Sequence, residues 1–87
     1  MERELTIKNK LGLHARAAAK MVQLGSGYAS DLIIRFDGQE ADGKSILGIL
    51  TLACPYGSRI ILKAEGPDAE QLLDALEKLI NDKFGEE

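Results

Sequence analysis

Leu5-Thr6-Ile7-Lys8 alternates apolar and polar residues, the pattern of a half-buried strand, and a loop from Asn9 to Gly12 interrupts it. From Ala15 to Leu24 the spacing becomes helical, with Ala18, Met21, Val22 and Gly25 on one side. Gly25-Ser26-Gly27 predicts the end of that helix through a left-handed glycine cap. Asp31–Phe36 is β-branched and aromatic and reads as a second strand. Asp37-Gly38 is a hairpin turn signal, and Gln39–Asp42 follows as a short polar third strand. Ser45 to Leu52 predicts a short helix with Ser45 as its N-cap. Pro55-Tyr56-Gly57 is a turn that leaves Tyr56 as a loop aromatic. Arg59–Ala64 is a fourth strand whose apolar centre suits an inner position. In the last segment Ala69, Leu72, Leu73, Leu76, Leu79 and Ile80 form one broad helical stripe, opposite a solvated face of Glu70, Asp74, Glu77 and Lys78. Asp68 is the predicted cap of this helix, with Gln71 completing a capping box.

The order βαββαβα predicts an α+β fold, a four-stranded antiparallel sheet with three helices on one face and water on the other. A length of 87 residues suits one domain, 1–87, with a single core. No apolar run approaches the ~20 residues that span a bilayer, and Met1-Glu2-Arg3-Glu4 lacks a signal segment, so a cytoplasmic protein without membrane insertion is expected. A net charge of −3 and the scarcity of aromatics argue against nucleic acid, and with it against an RNA-binding module of similar element order. One cysteine and one histidine cannot assemble a structural metal site. No metal or cofactor is expected, and Cys54 reads as a buried small hydrophobe.

Gly38-Gln39-Glu40-Ala41-Asp42-Gly43-Lys44-Ser45 matches the phosphate-loop pattern G-x-x-x-x-G-K-[ST] between a strand and a helix. Physical chemistry weighs against a nucleotide site. Glu40 and Asp42 would set carboxylates beside phosphate charges, and the Asp-Gly turn claims the same residues for a hairpin.

His14 stands just before the alanine-rich helix. The first turn of a helix offers unpaired N–H groups and partial positive charge, a site suited to phosphate. Arg16 adds a permanent cation and a planar donor fork. Gly12 permits a backbone that turns the ring outward. These positive surroundings disfavour the imidazolium and leave a neutral, nucleophilic ring nitrogen. No base, metal ligand or nucleotide pocket accompanies the histidine in the sequence, which suggests a carrier acted on by other proteins.

Gly12-Leu13-His14-Ala15-Arg16 followed by alanines closely resembles the active-site motif of HPr, the histidine-containing phosphocarrier family of the bacterial phosphoenolpyruvate-dependent phosphotransferase system. Gly43-Lys44-Ser45-Ile46-Leu47-Gly48-Ile49-Leu50 resembles the family's second signature, around a regulatory serine, and the Ala64-Glu65-Gly66 strand end fits as well. The resemblance covers essentially the whole chain and implies an open-faced β-sandwich. It implies that His14 takes phosphate from phosphorylated enzyme I through Nδ1 and donates it to a IIA component of a permease or a related acceptor. Arg16 would stabilise the phosphoryl group. It also implies phosphorylation of Ser45 by HPr kinase/phosphorylase, whose added charge would slow phosphorylation of His14 if the second helix lies beside it. Ala17 departs from the family's usual proline. Alanine supplies an extra N–H and forms helix well, so phosphate binding should survive, but the swap leaves open a sugar-uptake or a nitrogen-related branch.

Ile46, Leu47, Ile49, Leu50 and Leu52 cannot all point inward from one short helix, so some must form an exposed patch. Following the family, Ile46, Leu47 and Leu50 are the candidate partner-binding residues, with Ala19 and Lys20 beside them, on a chain expected to be monomeric.

Overall fold

The computed structural model describes residues 1–86. Its elements are β1 (Glu2–Thr6), α1 (Ala15–Gly25), β2 (Asp31–Phe36), β3 (Gln39–Asp42), α2 (Ile46–Leu52), β4 (Arg59–Glu65), α3 (Ala69–Asn81) and a 3-10 turn, Lys83–Gly85. The strands form one antiparallel sheet in the order β1-β4-β2-β3, so β4 is an inner strand as its apolar centre suggested. Alternate strand residues, among them Leu5, Leu32, Ile34, Ile60, Leu62 and Ala64, point to one face and are buried there. Against them pack the stripes of the helices: Ala17, Ala18 and Met21 of α1, Ile49 and Leu52 of α2, and Leu72, Leu73, Leu76 and Ile80 of α3. The other sheet face carries charged side chains, and Arg35 there lies near Glu2 and Glu40. The expected open-faced α+β fold is the one observed.

The β2–β3 hairpin matches its sequence signals residue for residue, because Asp37 and Gly38 both take positive φ (55° and 78°), the geometry of the tight turn that the Asp-Gly pair encodes. Elsewhere the chain differs from its local signals. β1 is Glu2–Thr6 rather than Leu5–Lys8, since pairing runs from Glu2 opposite Lys63 to Thr6 opposite Arg59. Ile7 remains buried beyond the strand, its N–H donating to Ser58 O. α1 extends one residue to Gly25, and no left-handed glycine ends it. Ser26 takes a right-handed conformation, and its N–H still reaches Val22 O and Leu24 O.

The capping box proposed for α3 does not form. The Asp68 carboxylate accepts instead from the N–H groups of Ala29 and Ser30 and from the Ser30 hydroxyl, and the Asp68 N–H donates to Ser30 Oγ. A long-range junction between the α1–β2 loop and the start of α3 has replaced the local cap. These donors, led by the Ser30 hydroxyl, hold the Asp68 carboxyl below its ordinary value. Cys54 is buried, and burial pushes its thiol up to about 11, as a core residue rather than a reactive one.

Candidate functional site

Two contacts set the histidine in place. Gly12 sits at φ +71°, where a Cβ would come within 2.5 Å of Cys54 O and 2.9 Å of Pro55 Cα, so only glycine allows the loop to lie this close to the chain leaving α2. The next residue, Leu13, is buried, and its N–H donates to Cys54 O at 2.9 Å. His14 then takes extended backbone and becomes the N-cap of α1, with its carbonyl accepting from Ala18 N–H. Its ring Nδ1 accepts from the Arg16 N–H at 3.3 Å. The ring is therefore held over the helix start rather than merely near it.

The far side of the ring meets a residue that the sequence did not single out. His14 Nε2 contacts a carboxylate oxygen of Glu86, whose other oxygen accepts from the Asn9 side-chain amide at 3.1 Å. An ionised carboxylate only accepts, so Nε2 must carry the proton. Arg16 N–H only donates, so Nδ1 must present its lone pair. Both partners specify the same neutral tautomer. Glu86 also makes the surroundings less uniformly positive than the sequence suggested. The His14 contact, followed by the Asn9 bond and the nearby charge of Arg16, holds the Glu86 carboxyl below its ordinary value.

Glu86 reaches the ring because of an unusual turn. Lys83, Phe84 and Gly85 all have positive φ (57°, 57° and 74°), although two of them are not glycine. Left-handed backbone at the two non-glycine residues costs about 2–4 kcal/mol together. Full burial of Phe84 and the bond from Lys20 Nζ to Phe84 O at 2.5 Å offset it, since burying a phenylalanine contributes about 1.5–3 kcal/mol by itself. No helix or strand periodicity encodes this arrangement, which is why Glu86 went unseen. The only local signal was Phe84, an aromatic just past the α3 stripe.

Arg16 is exposed and lines a cleft with Lys8, Lys10, Lys83 and Glu86. Residues 5–30 contain four Lys or Arg and no Asp or Glu, so this end of the molecule is basic while the chain as a whole is acidic. Ser45 lies elsewhere. Lys44, its neighbour, runs beside Gly25 at the end of α1, whereas the chain leaving α2 touches Leu13 at the start. α2 thus runs back along α1, whose 11 residues span about 16 Å, and the structure does not bring Ser45 to His14. Ser45 Oγ accepts from Gly48 N–H at 3.0 Å, the expected cap.

The phosphate-loop lookalike is closed. Its amides are already bonded: Gly43 N–H to Leu32 O, Lys44 N–H to an Asp42 carboxylate oxygen and Ser45 N–H to Asp42 O, while Lys44 Nζ donates to Tyr28 O. Of the candidate contact residues, Leu47 and Ile46 are exposed (76% and 40%), and Leu50, Ala19 and Lys20 are half-buried. Lys20 commits its ammonium to Phe84 O. Among the described residues no cluster of His, Cys, Asp or Glu could hold a metal ion, and no helix is long and apolar enough to cross a membrane.

Comparison with known proteins supplies the context for this geometry. Residues 1–82 match the family model for the HPr component phosphorylation site of the phosphotransferase system. A phosphocarrier protein HPr of Cupriavidus necator is 45% identical over 86 residues, covering 99% of this chain and 97% of the relative. A phosphocarrier protein NPr of Shewanella violacea is 43% identical, covering 99% and 94%. The crystal structure of HPr-C-His from Thermoanaerobacter tengcongensis superposes with a TM-score of 0.96 at 45% identity, covering 100% of this chain and 98% of that one. Fold and relatives together define a phosphocarrier of the phosphotransferase system, a protein that carries a group rather than one that catalyses a reaction. The chain belongs to the HPr family.

Proposed function

We propose that His14 is the phosphoryl acceptor, taking the group from phosphorylated enzyme I on Nδ1 and passing it to a IIA component or a related regulator. The observation that carries this reading is the pair of ring contacts, which leaves the Nδ1 lone pair aimed at the α1 N-terminus. In the transfer, that lone pair attacks phosphorus and the bond from phosphorus to the donor breaks, its electron pair leaving with the donor. The His14 ring becomes cationic with its proton still on Nε2, where the Glu86 carboxylate stabilises it. Arg16, exposed two residues further on, supplies the guanidinium that pairs with phosphoryl oxygens. Onward transfer is the same displacement with a new acceptor nitrogen.

The basic surroundings of His14 suit acidic docking partners, and Ile46, Leu47 and Leu50, flanked by Ala19 and Lys20, supply an apolar patch on the adjoining helix. Ser45 is the regulatory site for an HPr kinase/phosphorylase. Because it sits at the far end of the α1–α2 pair, its phosphate acts on the partner across that shared face rather than on the His14 ring. The working unit in this reading is a monomer, a single domain acting in the cytoplasm. Relatives named HPr and NPr match about equally well, so a sugar or a nitrogen-related branch is decided by the acceptor. Incubation with enzyme I and phosphoenolpyruvate tests the assignment. Acid-labile, base-stable phosphate should form on the parent chain and be absent from His14→Ala; label retained by that variant rules His14 out.

A further inference from the structure

The two helix starts that carry candidate phosphorylation sites use their caps differently. At α2 the Ser45 oxygen closes the third N–H, that of Gly48. At α1 the His14 ring takes the second N–H, that of Arg16, and the third, that of Ala17, has no acceptor among the described residues. Ala17 is 0% exposed, so water does not serve it either. A buried backbone N–H without a partner is rare and costly, and the N–H groups of a first turn point out of the helix toward the cap. The second and third N–H groups are also the two that a cap atom ordinarily reaches.

We propose that the Ala17 N–H is a positioning donor for the phosphoryl group on His14, a bond that proline at this position could not make. A phosphorus atom on Nδ1 displaces the ring's contact with Arg16 N–H and brings phosphoryl oxygens to the first turn. One oxygen then accepts from Arg16 N–H and another from Ala17 N–H. The donor is idle in the unphosphorylated protein and used in the phosphorylated one, so it favours the carrier's loaded state. This inference rests on His14 being the acceptor.

The test loads the full chain chemically with phosphoramidate, which removes the dependence on enzyme I. In nitrogen-15 NMR spectra the Ala17 amide proton should move downfield on phosphorylation, along with that of Arg16. Two variants then delete the donor: Ala17→Pro, and a semisynthetic chain with an ester in place of the Arg16–Ala17 peptide bond, which leaves the alanine side chain untouched. With each, phosphohistidine should hydrolyse about three- to tenfold faster, the effect of losing one hydrogen bond of ordinary net strength. An Ala17 amide that stays put while Nδ1 is phosphorylated, with an unchanged lifetime in the ester chain, overturns the proposal. Failure with enzyme I but success with phosphoramidate contradicts only the donor assignment made above. Failure to load His14 with either reagent overturns both readings.

Discussion

The N-caps of α1 and α2 make an instructive pair. Ser45 is a conventional cap, a small hydroxyl whose oxygen satisfies Gly48 N–H. His14 does the same job with an aromatic ring, contacts Arg16 N–H at the longer distance of 3.3 Å, and leaves Ala17 N–H without an acceptor among the described residues. The first arrangement uses its cap atom to stabilise the helix start. The second holds a nucleophile over donors that a phosphate can use, which is what a reversible carrier requires.

Substitutions at the two caps should separate these roles. The largest effect short of removing the histidine is expected from Arg16→Ala, which should slow phosphoryl transfer about 10- to 100-fold, the worth of hydrogen bonds to a charged group. The fold should be unaffected, because the guanidinium makes no bond within the chain among the described residues. Rapid-quench transfer assays check this, and a rate within twofold of the parent would contradict it. Glu86→Gln should reduce transfer by a smaller factor, about three- to tenfold, because a neutral amide stabilises the cationic phosphorylated ring less than a carboxylate does. Ring nitrogen-15 shifts should show a more mixed tautomer population in this variant; unchanged shifts would argue that Glu86 does not set the tautomer.

Ser45→Ala sharpens the contrast from the other side. Loss of this cap should cost about 1 kcal/mol, roughly 4–8 °C in Tm for a domain of this size, and leave transfer to His14 intact. A transfer defect as large as that of Arg16→Ala would mean the two caps are not functionally distinct. The smallest effect concerns pH. Asp68 and Glu86 have carboxyls held below their ordinary values, so each stabilises the fold above about pH 4, the unfolded carboxylate range, and that contribution is lost as pH falls through the lower folded values. Asp68→Asn should flatten the acid side of the stability curve, measured by urea unfolding at several pH values. An unchanged acid limb would show that the junction with Ser30 is not ionic in origin.

Legibility in the sequence followed the range of the interactions. The β2–β3 hairpin, the α3 stripe and the Ser45 cap are encoded within a few residues, and all were readable. His14 and Arg16 could be proposed as a site because a helix start has a fixed chemistry, and the structure brings both to the start of α1. Asp68 misled, because its carboxylate had the right spacing for a local cap yet found stronger partners 38 and 39 residues away. Glu86 was invisible for a related reason. Its approach to His14, 72 residues away, depends on a left-handed turn held by the burial of Phe84 and by Lys20, and nothing local specifies that geometry. The phosphate-loop pattern is disfavoured by its own carboxylates, and the structure adds that the amides of Gly43, Lys44 and Ser45 are already bonded.

The most direct test of the carrier cap is phosphorus–nitrogen correlation NMR on the chain labelled with nitrogen-15 and phosphorylated by enzyme I and phosphoenolpyruvate. The geometry predicts coupling from phosphorus to Nδ1 of His14, with a proton retained on Nε2. Coupling to Nε2, or phosphate found only at Ser45, would contradict it.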